Sequence, residues 1–223
     1  MLKTISGICL GMLALAGCSS GEEPQAPAAS ASASSPSAAS AKLRAALLPV
    51  PDGMHVAYGP ELGAFGKLKS TQQGIAALRQ AKLQRPECAG AAQLDIEQPD
   101  IAGAPAAVIA FAAERGSITQ AVVSLPSESF PKPLPRQCAS YTADVGGTQV
   151  TYKTRTLKMP PKGDESRAYL TSAAGGEKDA QIGSVMIRRG TVVMSMLVVG
   201  QKVKAQGLYE LARLADKNLE QVA

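Results

Sequence analysis

Four cysteines, one histidine and a scatter of carboxylates and cations hold the chemistry open to this chain of 223 residues. The cysteines stand at Cys9, Cys18, Cys88 and Cys138, with none of the close C-x-x-C spacing of a zinc site. A thiol can accept an acyl group, act as a nucleophile or close a disulfide, and its surroundings decide which. His55, in "PDGMHVAYGPE", is the only histidine. With no nucleophile or second ligand beside it, it reads as a surface or packing residue rather than the base of a triad or a zinc ligand. Asp95, Glu97 and Asp100 are close in sequence, and Asp95 and Glu97 would share a strand face if "QLDIE" is extended. Glycoside hydrolysis needs two carboxyls across a cleft in different environments, and a solvated strand face explains this cluster better. G-x-S-x-G, P-loop and G-x-G-x-x-G stretches do not occur. The expectation is a protein that is not an enzyme, with no catalytic, metal or cofactor-binding residues.

Cys18 has the most informative setting. Lys3 gives a short positive start, residues 5–16 form an apolar run, and small residues follow in "LALAGCSS". The run is far shorter than the roughly 20 residues of a membrane-spanning helix, and its layout is that of a signal peptide. Leu15-Ala16-Gly17-Cys18 resembles the lipobox of bacterial lipoproteins. That resemblance implies a diacylglycerol thioether on Cys18, cleavage before it, and a mature chain anchored to the outer side of the cell membrane. The competing reading is an ordinary secretory signal with a chance cysteine. Residues 1–17 are thus read as a lipoprotein signal peptide, and the covalent diacylglycerol as the one attached group.

Residues 18–41 consist almost wholly of Ser, Ala and Pro, with Glu22 and Glu23 their only charges. They lack the large apolar groups that could offset ordering entropy and read as a disordered tether. A coil of that length reaches about 25–30 Å from the lipid. Residues 42–223 are enough for one domain with a sizeable core. Once Cys9 is removed and Cys18 acylated, Cys88 and Cys138 remain as an even pair in an oxidising compartment, which predicts a disulfide. Two buried free thiols, or half of a metal site, are the alternatives.

The elements follow from hydrophobic period. Residues 42–48 carry a short helical pattern ending before Pro49, and 71–83 a longer one ending before Pro86. Residues 106–113 and 118–125 read as strands around a Glu114-Arg115-Gly116-Ser117 turn. In "TQVTYKTRTLKMP", Val150 and Tyr152 alternate with Gln149, Thr151, Lys153 and Arg155, which predicts a strand with one wet face. "QIGSVMIRRGTVVMSMLVVG" is a second hairpin turning at Arg188-Arg189-Gly190. Leu208, Leu211, Ala215, Leu219 and Val222 recur at helical steps near the end. Hairpin connections predict an α+β fold: one twisted antiparallel sheet packed with N-terminal helices and a C-terminal amphipathic helix.

The order "PECAGAAQLDI", "ITQAVVSLPSESF", "PRQCASYTADVGGTQVTYKTRTLKMP", "SVMIRRGTVVMSMLVVG" and a terminal helix resembles PknH-like extracellular sensor domains of actinobacteria. The shared pattern is a cysteine before the first long hairpin, a second in the helix after it, and a late strand with a basic turn. It implies helices on an antiparallel sheet with a cleft for an extracellular ligand, in a freestanding lipoprotein. Kinase-linked members carry two disulfides, of which Cys88 and Cys138 match one, and tryptophan, common in relatives, is absent here.

The net charge of +5 and the few aromatic residues do not suggest nucleic-acid binding. Lys153, Arg155, Lys158 and Lys162 form a local basic cluster. The late hairpin is apolar on both faces, since Val185 and Ile187 alternate with Met186, and Val193, Leu197 and Val199 with Met194, Met196 and Val198. One face would pack under helices. The other, bordered by Lys153 and Arg155, would form a shallow cleft for a small anionic or amphipathic envelope ligand, unless a second helical layer fills it. The expected function is a cell-envelope lipoprotein with a ligand-binding or sensor-like domain. A lipid or glycolipid carrier and a structural protein that meets an envelope protein partner are the alternatives.

Overall fold

The computed structural model describes residues 37–90, 92–175 and 179–223. Cys18, the signal peptide and all but the last five residues of the tether lie outside them. In chain order the elements are helix α1 (Ala38–Leu43), strand β1 (His55–Ala64), helix α2 (Lys69–Gln80), strand β2 (Lys82–Leu83) and helix α3 (Pro99–Ala102). Strands β3 (Pro105–Ala113), β4 (Gly116–Ser124), β5 (Ser140–Val145), β6 (Thr148–Thr156), β7 (Glu165–Ala174), β8 (Ala180–Arg189) and β9 (Val192–Gly200) follow, and helix α4 (Ala205–Leu219) ends the fold.

The nine strands form one sheet in the order β1-β3-β4-β9-β8-β7-β6-β5-β2. All neighbours are antiparallel. Strands β5 to β9 run as a meander, and the β3–β4 hairpin docks on β9 with Val122 opposite Met194 and Val123 opposite Val193. This is the α+β arrangement expected from the hairpin pattern.

Alternation sorts the central strands into two apolar faces. On the first, Phe111, Val122, Val185, Ile187, Met194 and Met196 pack against Leu208, Ala212, Ala215 and Leu219 of α4 and against Leu43 and Ala46. On the second, Ala106, Val108, Val123 and Val193 pack against Phe65, Leu68, Leu94, Ile101 and Leu125. The apolar two-sidedness of the late hairpin thus serves two separate cores.

A fully buried polar side chain fixes the first layer. Gln120 on β4 accepts from the Leu48 N–H through Oε1 at 2.7 Å and donates from Nε2 to the Ala46 carbonyl at 3.3 Å. Asn218 of α4 holds the carbonyl between them, Leu47, at 3.0 Å. Arg188 and Arg189, expected at the hairpin turn, instead end β8, paired with Val193 and Val192, and they are likewise structural. Arg189 donates from Nε to Asp216 at 2.8 Å and from Nη2 to Glu220 at 2.9 Å, both on or next to α4. The Asp216 hydrogen bond holds its guanidinium above the ordinary pKa, against the opposing effect of burial. Arg188 reaches Asp164 at 3.3 Å and Glu128 at 3.7 Å.

Several local expectations shift. Helix α1 begins inside the Ser/Ala/Pro stretch, because Ser37 caps it by accepting from the Ser40 N–H and Leu43 anchors it in the core. Helix α2 ends at Gln80, since Lys82 and Leu83 join the sheet as β2. "QLDIE" is a turn rather than a strand: Asp95 Oδ1 accepts from the Glu97 N–H at 2.9 Å, so the two carboxylates share no strand face. Cys138 sits in a short 3-10 turn, Arg136–Ala139, rather than in a longer helix.

Candidate functional site

Strands β1 and β2 are adjacent in sequence but occupy opposite edges of the sheet. Residues 65–81 therefore cross the second face outward, and residues 84–104 return to β3 beside β1. The return leg packs tightly over one half of that face through Leu94, Ile101 and Ala104. Over the other half the strap stands off the sheet and leaves a hollow of about 160 Å³.

The floor of the hollow comes from the sheet: Leu197 on β9, Ile182 and Ser184 on β8, Thr171 on β7, Tyr152 on β6 and Tyr141 and Ala143 on β5. Its walls come from the strap: Leu78 and Ala81 at the end of α2, Leu83 of β2, and Cys88, Ala89, Gly90, Ala92 and Gln93. Tyr141 and Tyr152 face each other across the β5–β6 register with ring centroids 5.1 Å apart and planes 14° from parallel. Burial, assisted by the neighbouring Tyr152, raises the Tyr141 pKa, so its phenol remains a neutral O–H group. Thr171 already exchanges a 2.8 Å hydrogen bond with Thr154.

The far end of the strap is pinned to β5 and to the 3-10 turn before it by several ties. Cys88 and Cys138 form a disulfide, as the cysteine count predicts, with Cα atoms 5.4 Å apart. The Arg85 guanidinium donates to the Gln137 carbonyl, and the Gln84 N–H donates to the Thr142 carbonyl at 2.9 Å. Just after these ties, Ala92 has φ 72°, a left-handed conformation that residues with a Cβ seldom adopt. Backbone strain of this kind concentrates where a segment is held in place by its surroundings.

Helix α2 is held at its other end by Glu61 of β1. Its Oε2 accepts from the Ser70 N–H at 3.0 Å and the Ser70 hydroxyl at 2.9 Å, while Tyr58 donates to Oε1. A carboxylate at the first turn of a helix also meets the positive end of its dipole. Burial alone would raise the Glu61 pKa, but the hydrogen bonds from Tyr58 and Ser70, with the Lys69 charge, hold it below the ordinary glutamate value. A carboxyl whose pKa is lowered on folding stabilises the fold above its unfolded pKa, about 4.3, and loses that contribution as pH falls through the folded value. Acidification below about pH 4 should therefore release α2 early. Amide exchange in residues 69–80 should accelerate before that of β8 and β9, and Glu61→Gln should remove most of the difference. Simultaneous loss of protection in α2 and β8 would refute this anchoring role.

No residue of α2 is buried, and Leu78 at its rim is 39% exposed. Lys153 and Arg155 do not border the hollow. They are exposed, and alternation along β6 turns them away from Tyr152, onto the face that Leu170, opposite Arg155, shares with the α4 core. The two cations and the hollow are thus not one site. His55 is exposed at the start of β1, and among the described residues no three His, Cys, Asp or Glu side chains are grouped for a metal. The hollow was not legible in the sequence, because its lining comes from α2, six strands and the strap loop.

No protein-family model and no curated protein matches the sequence. Among solved structures, the chain is similar to the extracellular domain of PknH from Mycobacterium tuberculosis, with a TM-score of 0.54 and 15% identity. That match covers 81% of this chain and 96% of the PknH domain. An uncharacterized protein from Mycobacterium smegmatis, the Rv0999 ortholog, is similar at a TM-score of 0.48 and 11% identity, covering 83% of this chain and 95% of that one. The described domain therefore shares the fold of the PknH extracellular domain.

Proposed function

We propose that this protein is a lipoprotein of the cell envelope, anchored through Cys18 on the outer side of the membrane, whose domain binds a ligand without transforming it and signals its presence to an envelope partner. The observation that carries the reading is the hollow, which sits between the sheet and a strap tied down at Ser70 and at Cys88. Support comes from the fold shared with an extracellular domain and from the signal-peptide pattern before Cys18. Among the described residues no helix is long and apolar enough to cross a membrane. A carrier that encloses a whole lipid is less well supported, because the hollow is about 160 Å³ and pockets for drug-sized ligands begin near roughly 300 Å³.

Two measurements on the full chain made in its own host test the reading. Cys18→Ser should abolish partitioning into the detergent phase, since a hydroxyl cannot replace the thiolate as acyl acceptor. Unchanged partitioning would remove the anchor. Native mass spectrometry of the Cys18→Ser protein should show a noncovalent adduct that is lost when Ala89→Trp fills the rim. An adduct-free mass would favour the structural alternative, in which the domain meets another protein without a ligand.

A further inference from the structure

We infer that the hollow takes one uncharged apolar group of about the size of a benzene ring, so that the ligand is recognised by a neutral ring or a short branched alkyl moiety rather than by a charge. The inference rests on the ligand-binding reading above and concerns the chemistry of what enters.

Among the described residues, no charged side chain lines the hollow. Arg79, Lys82 and Glu87 are neighbours in the strap sequence, but they are exposed and contribute nothing to the lining. A carboxylate or ammonium placed there would lose hydration with no counter-charge from the lining to replace it. The polar side chains of the lining are neutral, and the Thr171 hydroxyl already shares one hydrogen bond with Thr154. Leu78, Leu83, Ile182 and Leu197 offer apolar contact from opposite sides, and the Tyr141–Tyr152 pair offers aromatic surface with polar tips.

Size points the same way. An apolar protein cavity of about 150 Å³ admits benzene, and the volume here is about 160 Å³. The exposed Leu78 on a helix without buried residues supplies a wall that gains cover when the space is filled. The remainder of a larger ligand would lie outside, over the strap.

The test uses the full chain carrying Cys18→Ser, so that no attached acyl chain competes, with three probes of one size: benzyl alcohol, benzoate and benzylamine. Amide chemical shifts are followed during titration. Benzyl alcohol should shift the amides of Leu83, Gly90, Ile182, Ser184 and Leu197 saturably, with at least tenfold tighter binding than either charged probe. Ala89→Trp, a substitution at an exposed rim position, should abolish those shifts without changing the α4 amides. If benzoate or benzylamine binds in the hollow as tightly as benzyl alcohol, the neutral-group inference is wrong while the ligand-binding reading stands. If none of the three moves the amides of the hollow, the inference also falls, and the native-mass adduct decides the fate of the broader reading separately.

Discussion

Replacing Cys88 and Cys138 together with alanine should lower the stability of the domain by about 2 to 5 kcal/mol, the usual loss for a native bridge. The two cysteines are 50 residues apart, and closing a loop of that length restricts the unfolded chain by about 4 kcal/mol in the chain-entropy account. The bridge also compensates for a weak edge. Strand β2 has only two residues, Lys82 and Leu83, paired with Asp144 and Ala143 of β5. Without the bridge, the outer wall of the hollow depends on that short pairing and on the Arg85 and Gln84 contacts. Denaturant titration of the double variant should show a lower midpoint, and amide exchange should rise in residues 82–93 more than in β8. An unchanged midpoint would show that the bridge is dispensable to the fold.

A loss of about 2 to 4 kcal/mol is expected for Gln120→Leu, although the substitution makes the core more apolar. Leucine leaves two backbone groups, the Leu48 N–H and the Ala46 carbonyl, without the partner that now satisfies both. Each buried group stranded in this way costs about 1–3 kcal/mol. Gln120→Glu keeps an acceptor for Leu48 but places a carboxylate where the side chain is 0% exposed and faces the Ala46 carbonyl, so at neutral pH it should lose at least as much. Thermal unfolding of the two variants beside wild type checks both. A Gln120→Leu variant as stable as wild type would mean that residues 44–48 find other partners on the sheet.

The parts of this fold that were legible in the sequence are those where one period runs uninterrupted. The β3–β4 and β8–β9 hairpins show clear strand signals on either side of a glycine, although Gly116 itself opens β4, and the buried residues Leu208, Ala215 and Leu219 of α4 follow helical steps. Strand β1 was hidden because "HVAYGPELGA" holds Gly59, Pro60 and Gly63, and its pairing with β3 is interrupted by two register shifts. Such irregularities suit an edge strand, which must not invite further pairing. Strands β5 and β7 are rich in Ser, Thr and Ala, so their alternation was faint. For the candidate site, the alternation of Tyr152 with Lys153 was correctly readable, but its consequence was not. Which face of β6 receives the hollow depends on where the strap crosses, and that is a long-range property of residues 65–104 with no local signature.

The separation of β1 and β2 by the whole width of the sheet also sets an order of assembly. Strands β5 to β9 can form hairpin by hairpin from neighbouring residues, and β3–β4 needs only β9 to dock. Strand β2 has nothing to pair with until β5 exists, about sixty residues further along the chain. Contacts of such separation follow those that close shorter loops, since the entropy of bringing the ends together must be met first. The strap therefore settles after the shorter hairpins of the β5–β9 meander, and the hollow beneath it does not exist until β2 has found β5. In a chain that emerges from its amino end, Cys88 appears before Cys138 and waits as a thiol, so the interval between the two is when this protein is most open to a wrong partner.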